Sequence, residues 1–253
     1  MLKIVQNSAL ADGFYNGFLV LGLLSALCFG IWYRKKYGLS FRQAVVLTVT
    51  VLALVMGWTV IHFLLETGFT GAGTKSVVRA VPYLMLIIWP VAALLKIKWK
   101  TACDFLAPSV CLYIGIVQFG CVFTGCCQGY PSRWGIYNHH YDGLAFPVQI
   151  AEGLLVLGLF LLLLRRNKKC CYSSDGKTMP VMLLLFGIMR FLCEFARNNE
   201  KLWLGCSAIA FHALFAAVVG TDFLVTIWEK DKQKMENTER YFRNPHKARR
   251  QKR

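Results

Sequence analysis

Phe14–Tyr33, FYNGFLVLGLLSALCFGIWY, contains no charged side chain, and Arg34-Lys35-Lys36 follow it directly. An α-helix needs about 20 mostly apolar residues to cross the hydrocarbon core of a bilayer. A secretory signal peptide would end in a cleavage site of small residues, and this stretch ends in basic residues instead. We therefore predict a retained first membrane span rather than a leader that is removed.

The same kind of stretch recurs along the rest of the chain, although the third and sixth examples are weakened by Arg79 and Arg190. The predicted spans are Phe14–Tyr33, Ala44–Leu65, Val77–Leu95, Ala102–Phe123, Pro147–Leu164, Met179–Phe195 and Leu202–Trp228. The composition agrees, because 56% of the residues are hydrophobic and only 17% are charged, which is unusual for a soluble domain. The predicted fold class is an all-α integral membrane protein with seven transmembrane helices. Residues 1–228 form the membrane domain, and residues 229–253 form a basic tail.

Basic clusters fall in every second gap between these spans, at Arg34-Lys35-Lys36, Lys96–Lys100, Arg165–Lys169 and the tail. Cytoplasmic loops carry an excess of Lys and Arg, so we expect the N-terminus outside and the C-terminus in the cytoplasm. The tail is expected to lie on anionic lipid headgroups or to stay disordered. The net charge of +16 lies in loops and tail rather than on one face, so no nucleic-acid partner is expected.

Several polar or ionisable side chains fall inside the predicted spans, where a charge costs at least ~2.5 kcal/mol. Arg190 and Glu194 are four residues apart, so they share a helix face and can pair. Gln149 and Glu152 also share a helix face, at the same depth in the membrane as Arg190 and Glu194. All four approach the longest outer segment, Thr124–Phe146, which is rich in Gly, aromatic and polar residues. We interpret Arg190 and Glu194 as functional, against the alternative that the two merely neutralise each other.

The order of motifs then resembles the prolipoprotein diacylglyceryl transferase family, from about Asp104 to His212. The matching stretches are Asp104–Pro108, Gly120-Cys121, Gly125–Pro131, Arg133-Trp134-Gly135, Phe146–Glu152 and Gly187–Arg197. The double cysteine at Cys126-Cys127 is similar to a divergent branch that carries Gly-Cys-Cys-x-Gly.

The resemblance implies transfer of a diacylglyceryl group from phosphatidylglycerol to a cysteine thiol of a lipoprotein precursor, without a metal or an organic cofactor. The phosphate would be held by Arg190, which Glu194 would orient. The usual candidate base of the family is missing here, and we expect His139 or His140 to replace it if the outer segment folds back over the site. The other residues implied in substrate binding are Arg79, Asp104, Gln118, Gly129, Gln149, Glu152 and Arg197.

The chain also departs from the family pattern. An arginine of the family falls at Gln118, and an asparagine and a glutamate fall at Cys121 and Cys126. A histidine of the family falls close to Val78, and the arginine of a second-span motif falls near Thr59. These departures leave open a second function, in which the protein binds lipid or a partner without turnover.

A third possibility rests on Cys121, Cys126 and Cys127, which could form a zinc site or a redox thiol pair with His139 or His140. Adjacent cysteines without a Cys-x-x-Cys pair are poor zinc spacing, so this function is the least favoured. His62 and His212 lie on apolar spans, and we interpret them as hydrogen-bonded histidines of the core or of a helix interface.

Overall fold

A computed structural model describes residues 9–66, 77–125, 127, 129–138, 142–172, 174–198 and 207–243. In this part of the chain, seven α-helices surround a core, and one two-stranded antiparallel hairpin lies at an end of the bundle. The elements are α1 Ala9–Tyr33, α2 Phe41–Glu66, α3 Leu84–Leu94, α4 Trp99–Thr124, β1 Pro131–Asn138, β2 Gly143–Ala145, α5 Val148–Lys169, α6 Thr178–Glu194 and α7 Ala208–Arg243.

Six segments of the described chain are long and apolar enough to cross a membrane, which confirms a multi-pass helical protein. They are Leu10–Tyr37, Phe41–Leu65, Val77–Leu94, Trp99–Thr124, Val148–Lys169 and Ala208–Glu236. The predicted sixth span, Met179–Phe195, corresponds to α6, which has only 17 residues. At 1.5 Å per residue α6 is about 26 Å long, slightly less than the ~30 Å of the hydrocarbon core. The start of the predicted seventh span, Leu202–Cys206, lies outside the described residues.

The predicted third span is only partly α-helical. Two 3-10 turns, Val77–Arg79 and Val81–Tyr83, precede α3, and Pro82 lies in the second of them. A proline has no backbone N–H and is tolerated best at the beginning of a helix. The two turns pack against α7, and the first also packs against α2.

The core of the bundle runs along α4. Of the apolar stretch of α4, 78% is buried inside the protein, against 17% for α1. Both α1 and α5 pack along α4, and α6 contacts it as well. The helices α5 and α6, which carry the charged motif residues, are therefore both packed against the central helix.

The tightest helix contact is between α6 and α7, where two glycines allow the backbones to touch. A Cβ atom added at Gly187 would lie 2.5 Å from the carbonyl oxygen of Ala213, and one added at Gly220 would lie 2.6 Å from that of Pro180. Small residues at such contacts are typical of membrane helices. Gly187 lies one helical turn before Arg190, so this contact fixes the position of the arginine.

The two ends of the bundle differ in character. The basic end carries Arg34–Lys36, Lys96–Lys100 and Arg165–Lys169, and the hairpin end carries β1 and β2. The helix α7 continues without a break from the apolar layer into the predicted tail, as far as Arg243. No glycine or proline occurs between Gly220 and Pro245, so nothing in the sequence stops the helix.

Candidate active site at the hairpin end

Two guanidinium groups and two carboxylates form one buried cluster where α5 and α6 meet. Arg190 Nε lies 3.1 Å from Glu152 Oε1, and Arg190 Nη1 donates to Glu194 Oε2 at 2.5 Å. Arg197 Nη2 donates to Glu152 Oε2. None of the four residues is more than 8% exposed. Their formal charges cancel, which lowers the cost of burying them.

The local sequence explains this arrangement. Arg190 and Glu194 lie one turn apart in the last part of α6. Glu152 lies in the first turns of α5, which begins directly after Pro147. Arg197 follows the end of α6, where its backbone forms an antiparallel bridge with Gly129.

The bridge at Gly129 fastens the hairpin to the end of α6. Next to it, Tyr130 N–H donates to the carbonyl of Ala196 at 3.3 Å, and Phe146 N–H donates to the carbonyl of Tyr130 at 3.1 Å. A Cβ atom added at Gly129 would lie 2.3 Å from the carbonyl oxygen of Phe146. Only glycine fits this close approach of three chain segments.

Ser207 completes the cluster, and the sequence analysis did not single it out. Its hydroxyl donates to Glu194 Oε1 and accepts from Ala210 N–H at 3.3 Å. The second contact is that of an N-cap at the start of α7. A serine directly before an apolar helical run is the signal that could have identified it.

Cys127 lies against the Arg197 guanidinium, which donates a hydrogen bond to the sulfur. Burial lowers the pKa of Arg197, but the Cys127 sulfur and the carboxylates of Glu152 and Glu194 outweigh burial and raise it above its usual value. The guanidinium therefore stays charged. Cys127 has a positive φ of 61°, which is uncommon for a residue with a side chain.

A small cleft opens at the hairpin end, where Gly129 is bridged to Arg197 of the cluster. It is lined by Val122, Gly129, Ile136, Tyr137, Asn138, Ala145, Phe146, Pro147 and Gln149. Gln149 lies three residues before Glu152 on α5, so the two share a helix face. Gln118 lies four residues before Val122 on α4 and is 9% exposed. Of the predicted substrate-binding residues, Gly129 and Gln149 thus line this cleft, and Gln118 is not among its lining residues.

Asp104 lies at the other end of the bundle. It is fully buried and accepts from Gly176 N–H and Thr178 N–H, both at 2.8 Å. Thr178 is the first residue of α6, so Asp104 satisfies backbone donors at a helix start. Asp104 precedes Gln118 by fourteen residues on α4, a distance of about 21 Å along the axis. The structure does not bring Asp104 to the cleft, contrary to the substrate-binding role that the resemblance implies.

The remaining predicted site residues lie in other places. Arg79 is 5% exposed and lies in the 3-10 turn that packs against α2 and α7 rather than in the cluster. His139, His140 and Cys126 lie outside the described residues. Cys121 is buried in the last turn of α4.

Among the described residues, no three His, Cys, Asp or Glu side chains are arranged as metal ligands. Their cysteines, which include Cys121 and Cys127, form no disulfide with one another.

A sequence model of the prolipoprotein diacylglyceryl transferase family matches residues 13–227. A phosphatidylglycerol–prolipoprotein diacylglyceryl transferase 2 of Clostridium perfringens (strain 13 / Type A) is 32% identical over 138 residues, which cover 50% of this chain and 52% of that protein. A phosphatidylglycerol–prolipoprotein diacylglyceryl transferase of Clostridium tetani (strain Massachusetts / E88) is 26% identical over 129 residues, or 46% and 49% of the two chains.

The alignments span about half the length of these relatives, whereas the family match extends over most of the membrane domain. The match begins in α1 and ends in α7, so it includes every element that contributes to the charged cluster and the cleft. This chain belongs to the prolipoprotein diacylglyceryl transferase family.

Proposed function

We propose that this protein transfers a diacylglyceryl group from phosphatidylglycerol to the cysteine thiol of a lipoprotein precursor. The family and the printed names of the two relatives support this reaction. The observation that carries the proposal is the buried cluster of Arg190, Glu152, Glu194 and Arg197 beside a cleft lined by Gly129 and Gln149.

We further propose that the chain crosses the membrane seven times, with α6 as the remaining span, although its 17 residues make it shorter than the other six. In this topology the hairpin end lies outside a bacterial cytoplasmic membrane. The basic clusters lie at the opposite end of the bundle, as expected for a cytoplasmic face. The proposed topology would put the cleft at the outer face of the membrane.

The reaction forms a bond between sulfur and a glyceryl carbon and breaks the bond between that carbon and a phosphate oxygen. Glycerol phosphate leaves with the electron pair, so the transition state gains negative charge on the phosphate. Cations that are already fixed in position stabilise such charge without reorganisation. Glu152 holds Arg190 and Arg197, and Glu194 orients Arg190 from within α6.

The remaining donors of Arg190 suit a phosphate. A guanidinium has five N–H donors, and the contacts of Arg190 with Glu152 and Glu194 involve Nε and Nη1. This leaves Nη2 for the lipid. Gln118, Gly129 and Gln149 would then line the headgroup, and Arg79 would contribute a further cation from the neighbouring turn.

One observation favours lipid binding without turnover as a second candidate. Glu152 and Glu194 already offset both guanidinium charges, and Gln118 stands where the family has another arginine. Loss of one group that stabilises developing charge typically costs about 10²–10³ in rate. A protein with this cluster could therefore retain phosphatidylglycerol without transferring it.

The test is transfer of labelled diacylglyceryl from phosphatidylglycerol to a peptide that carries the acceptor cysteine, with detergent-purified protein. We expect transfer by the wild type, loss of transfer in Arg190→Ala, and normal transfer in Arg165→Ala. Arg165 is the matched control because it is an exposed arginine at the basic end of α5, outside the motifs that resemble the family. Binding of phosphatidylglycerol without transfer by the wild type would establish the second function instead.

A further inference from the structure

The strand β1 contains a bulge that contributes neither to the charged cluster nor to the lining of the cleft. Pro131 and Ile136 both pair with Ala145 of β2, so the four residues Ser132–Gly135 between them have no counterpart on β2. A bulge bends its strand and changes the direction in which side chains point. The side chains that this bulge presents are those of Arg133 and Trp134.

Two contacts fix the course of the backbone through the bulge. A Cβ atom added at Gly135 would lie 1.9 Å from the carbonyl oxygen of Ala145, so only glycine fits this close approach. On the other side, Trp134 N–H donates to the hydroxyl of Ser132 at 3.2 Å. Serine hydroxyls stabilise tight turns through such bonds to the backbone two residues along the chain. The bulge therefore has a defined shape, which determines where Trp134 projects.

The tryptophan of the bulge projects away from the protein. Trp134 is 83% exposed, and Arg133 is exposed beside it. A tryptophan ring has a large apolar surface and is usually covered in a folded protein. The ring is therefore available to a partner outside the chain.

The depth of the bulge identifies that partner as the bilayer. Ala145, opposite the bulge, lies three residues before Val148, where α5 and the apolar segment Val148–Lys169 begin. Three residues span at most about 10 Å of chain. The headgroup region adds about 5–8 Å on each side of the hydrocarbon core. The base of the bulge therefore lies close to the level of the lipid headgroups.

The surface at the base of the bulge is aromatic and continuous with the lipid-facing helices. Tyr130 directly precedes β1 and Phe146 directly follows β2, and both side chains are exposed. Phe146 N–H donates to the carbonyl of Tyr130, and Tyr130 N–H donates to that of Ala196 at the end of α6. Tyrosine and tryptophan are enriched where a membrane protein meets the headgroups. With Tyr130 and Phe146, Trp134 extends the lipid-facing surface into the headgroup layer.

The charge of the bulge favours one class of lipid. Arg133 forms none of the ion pairs found within the described part of the chain, so its charge is not offset there. A guanidinium can donate two parallel hydrogen bonds to a phosphate. One basic residue at an anionic surface favours binding by about fivefold. The pair of Arg133 and Trp134 thus suits an anionic phospholipid better than a zwitterionic one.

We propose that the Ser132–Gly135 bulge is a docking site for the headgroup of an anionic phospholipid in the leaflet at the hairpin end. The ring of Trp134 lies among the headgroups, and Arg133 binds the phosphate. This site is separate from the cleft, whose lining on β1 begins at Ile136. The proposal does not depend on the transferase reaction, because lipid docks at the bulge whether or not the cleft converts it.

The experiment is photo-cross-linking with p-benzoylphenylalanine in place of Trp134, an exposed position where the replacement disturbs no packing. The protein is reconstituted in nanodiscs of equal parts phosphatidylglycerol and phosphatidylcholine, with the radiolabel on one lipid or on the other. We expect about five times more labelled adduct from phosphatidylglycerol than from phosphatidylcholine. Arg133→Gln in the same protein should lower this ratio to about one, since it removes the charge that selects the anionic lipid.

The matched control carries the probe at Leu154, an exposed residue of α5 within the apolar segment. It should form adducts with both lipids equally, with or without Arg133→Gln. A parallel reaction contains the labelled acceptor peptide. Equal adducts of the two lipids at position 134, an adduct with the peptide instead of lipid, or no adduct there while Leu154 gives one would each overturn the docking site. Cross-linking needs no turnover, so these outcomes leave the transferase function standing, and an inactive protein leaves the docking site standing.

Discussion

Glu152 Oε1 lies 3.1 Å from Arg190 Nε, across the contact between α5 and α6. The second oxygen of the same carboxylate accepts from Arg197. One acidic side chain on α5 therefore holds both guanidinium groups of the cluster, and its removal leaves two buried cations with one carboxylate between them.

Glu152→Gln is expected to lower the free energy of unfolding by about 3–5 kcal/mol, because it leaves an uncompensated buried charge. The double variant Glu152→Gln/Arg197→Gln should be more stable than the single one, since the charges then balance again. Thermal unfolding in detergent measures both. Glu229→Gln, at an exposed position on α7, is the control. Additive losses in the double variant would show that Glu152 and Arg197 do not act as a pair.

Ser207 is expected to act on catalysis through Glu194. Ser207→Ala removes the hydroxyl that donates to Glu194 Oε1 and caps α7, and should cost about 0.5–2 kcal/mol of stability. A less firmly held Glu194 orients Arg190 less well, so kcat should fall while KM for phosphatidylglycerol changes little. Ser207→Thr should restore both. A change in KM alone would show that Ser207 contributes to lipid binding instead.

The sequence predicts the pairing of Arg190 with Glu194, because the two residues are one helical turn apart. It does not predict that Glu152 and Arg197 meet, since 45 residues and the hairpin separate them. The depth of Asp104 in the membrane could be inferred, because the basic residues Lys96, Lys98 and Lys100 lie at the beginning of its helix. The substrate-binding role of Asp104 was implied by the family resemblance alone, and a sequence motif does not show how deep a residue lies in the membrane.

Two features of the fold lack a clear sequence signal. The strand β1, Pro131–Asn138, shows no regular alternation of apolar and polar residues, so the sequence does not predict a strand in the outer segment. The predicted boundary at Trp228 is where the chain leaves the apolar layer. A helix without glycine or proline continues beyond that layer, as α7 does to Arg243.

Asp104→Ala is expected to destabilise the protein without weakening lipid binding. The variant leaves the N–H groups of Gly176 and Thr178 without their acceptor, at a cost of about 1–3 kcal/mol for each unsatisfied donor. Thermal unfolding should show this loss, and the affinity of the folded protein for phosphatidylglycerol should be that of the wild type. Weaker lipid binding at unchanged stability would return Asp104 to the substrate site.

The proposed topology predicts which positions lie outside. A reporter enzyme that is active only outside the cytoplasm should be active when fused after Trp134, in the hairpin, and inactive when fused after Lys169, at the basic end of α5. A fusion after Arg243 should also be inactive. An active fusion after Lys169 would reverse the orientation and move the cleft to the cytoplasmic face.

Gly187→Ala is expected to displace Arg190. The added Cβ would lie 2.5 Å and 2.6 Å from backbone atoms of Ala213 and Ala217, which cannot yield unless α6 and α7 separate. Because Gly187 lies one turn before Arg190, this separation should lower both thermal stability and transfer per folded molecule.

Substitutions at two further glycines distinguish a local displacement of Arg190 from a general loss of stability. Gly220→Ala creates a contact of 2.6 Å between the same helices but farther from the cluster, so it should lower stability with a smaller effect on transfer. At Gly158 an added Cβ meets no atom within 4 Å, and Gly158→Ala should be neutral or slightly stabilising because alanine favours a helix by about 1 kcal/mol. If Gly187→Ala and Gly220→Ala reduce transfer equally, the close contact supports the bundle as a whole rather than the position of Arg190.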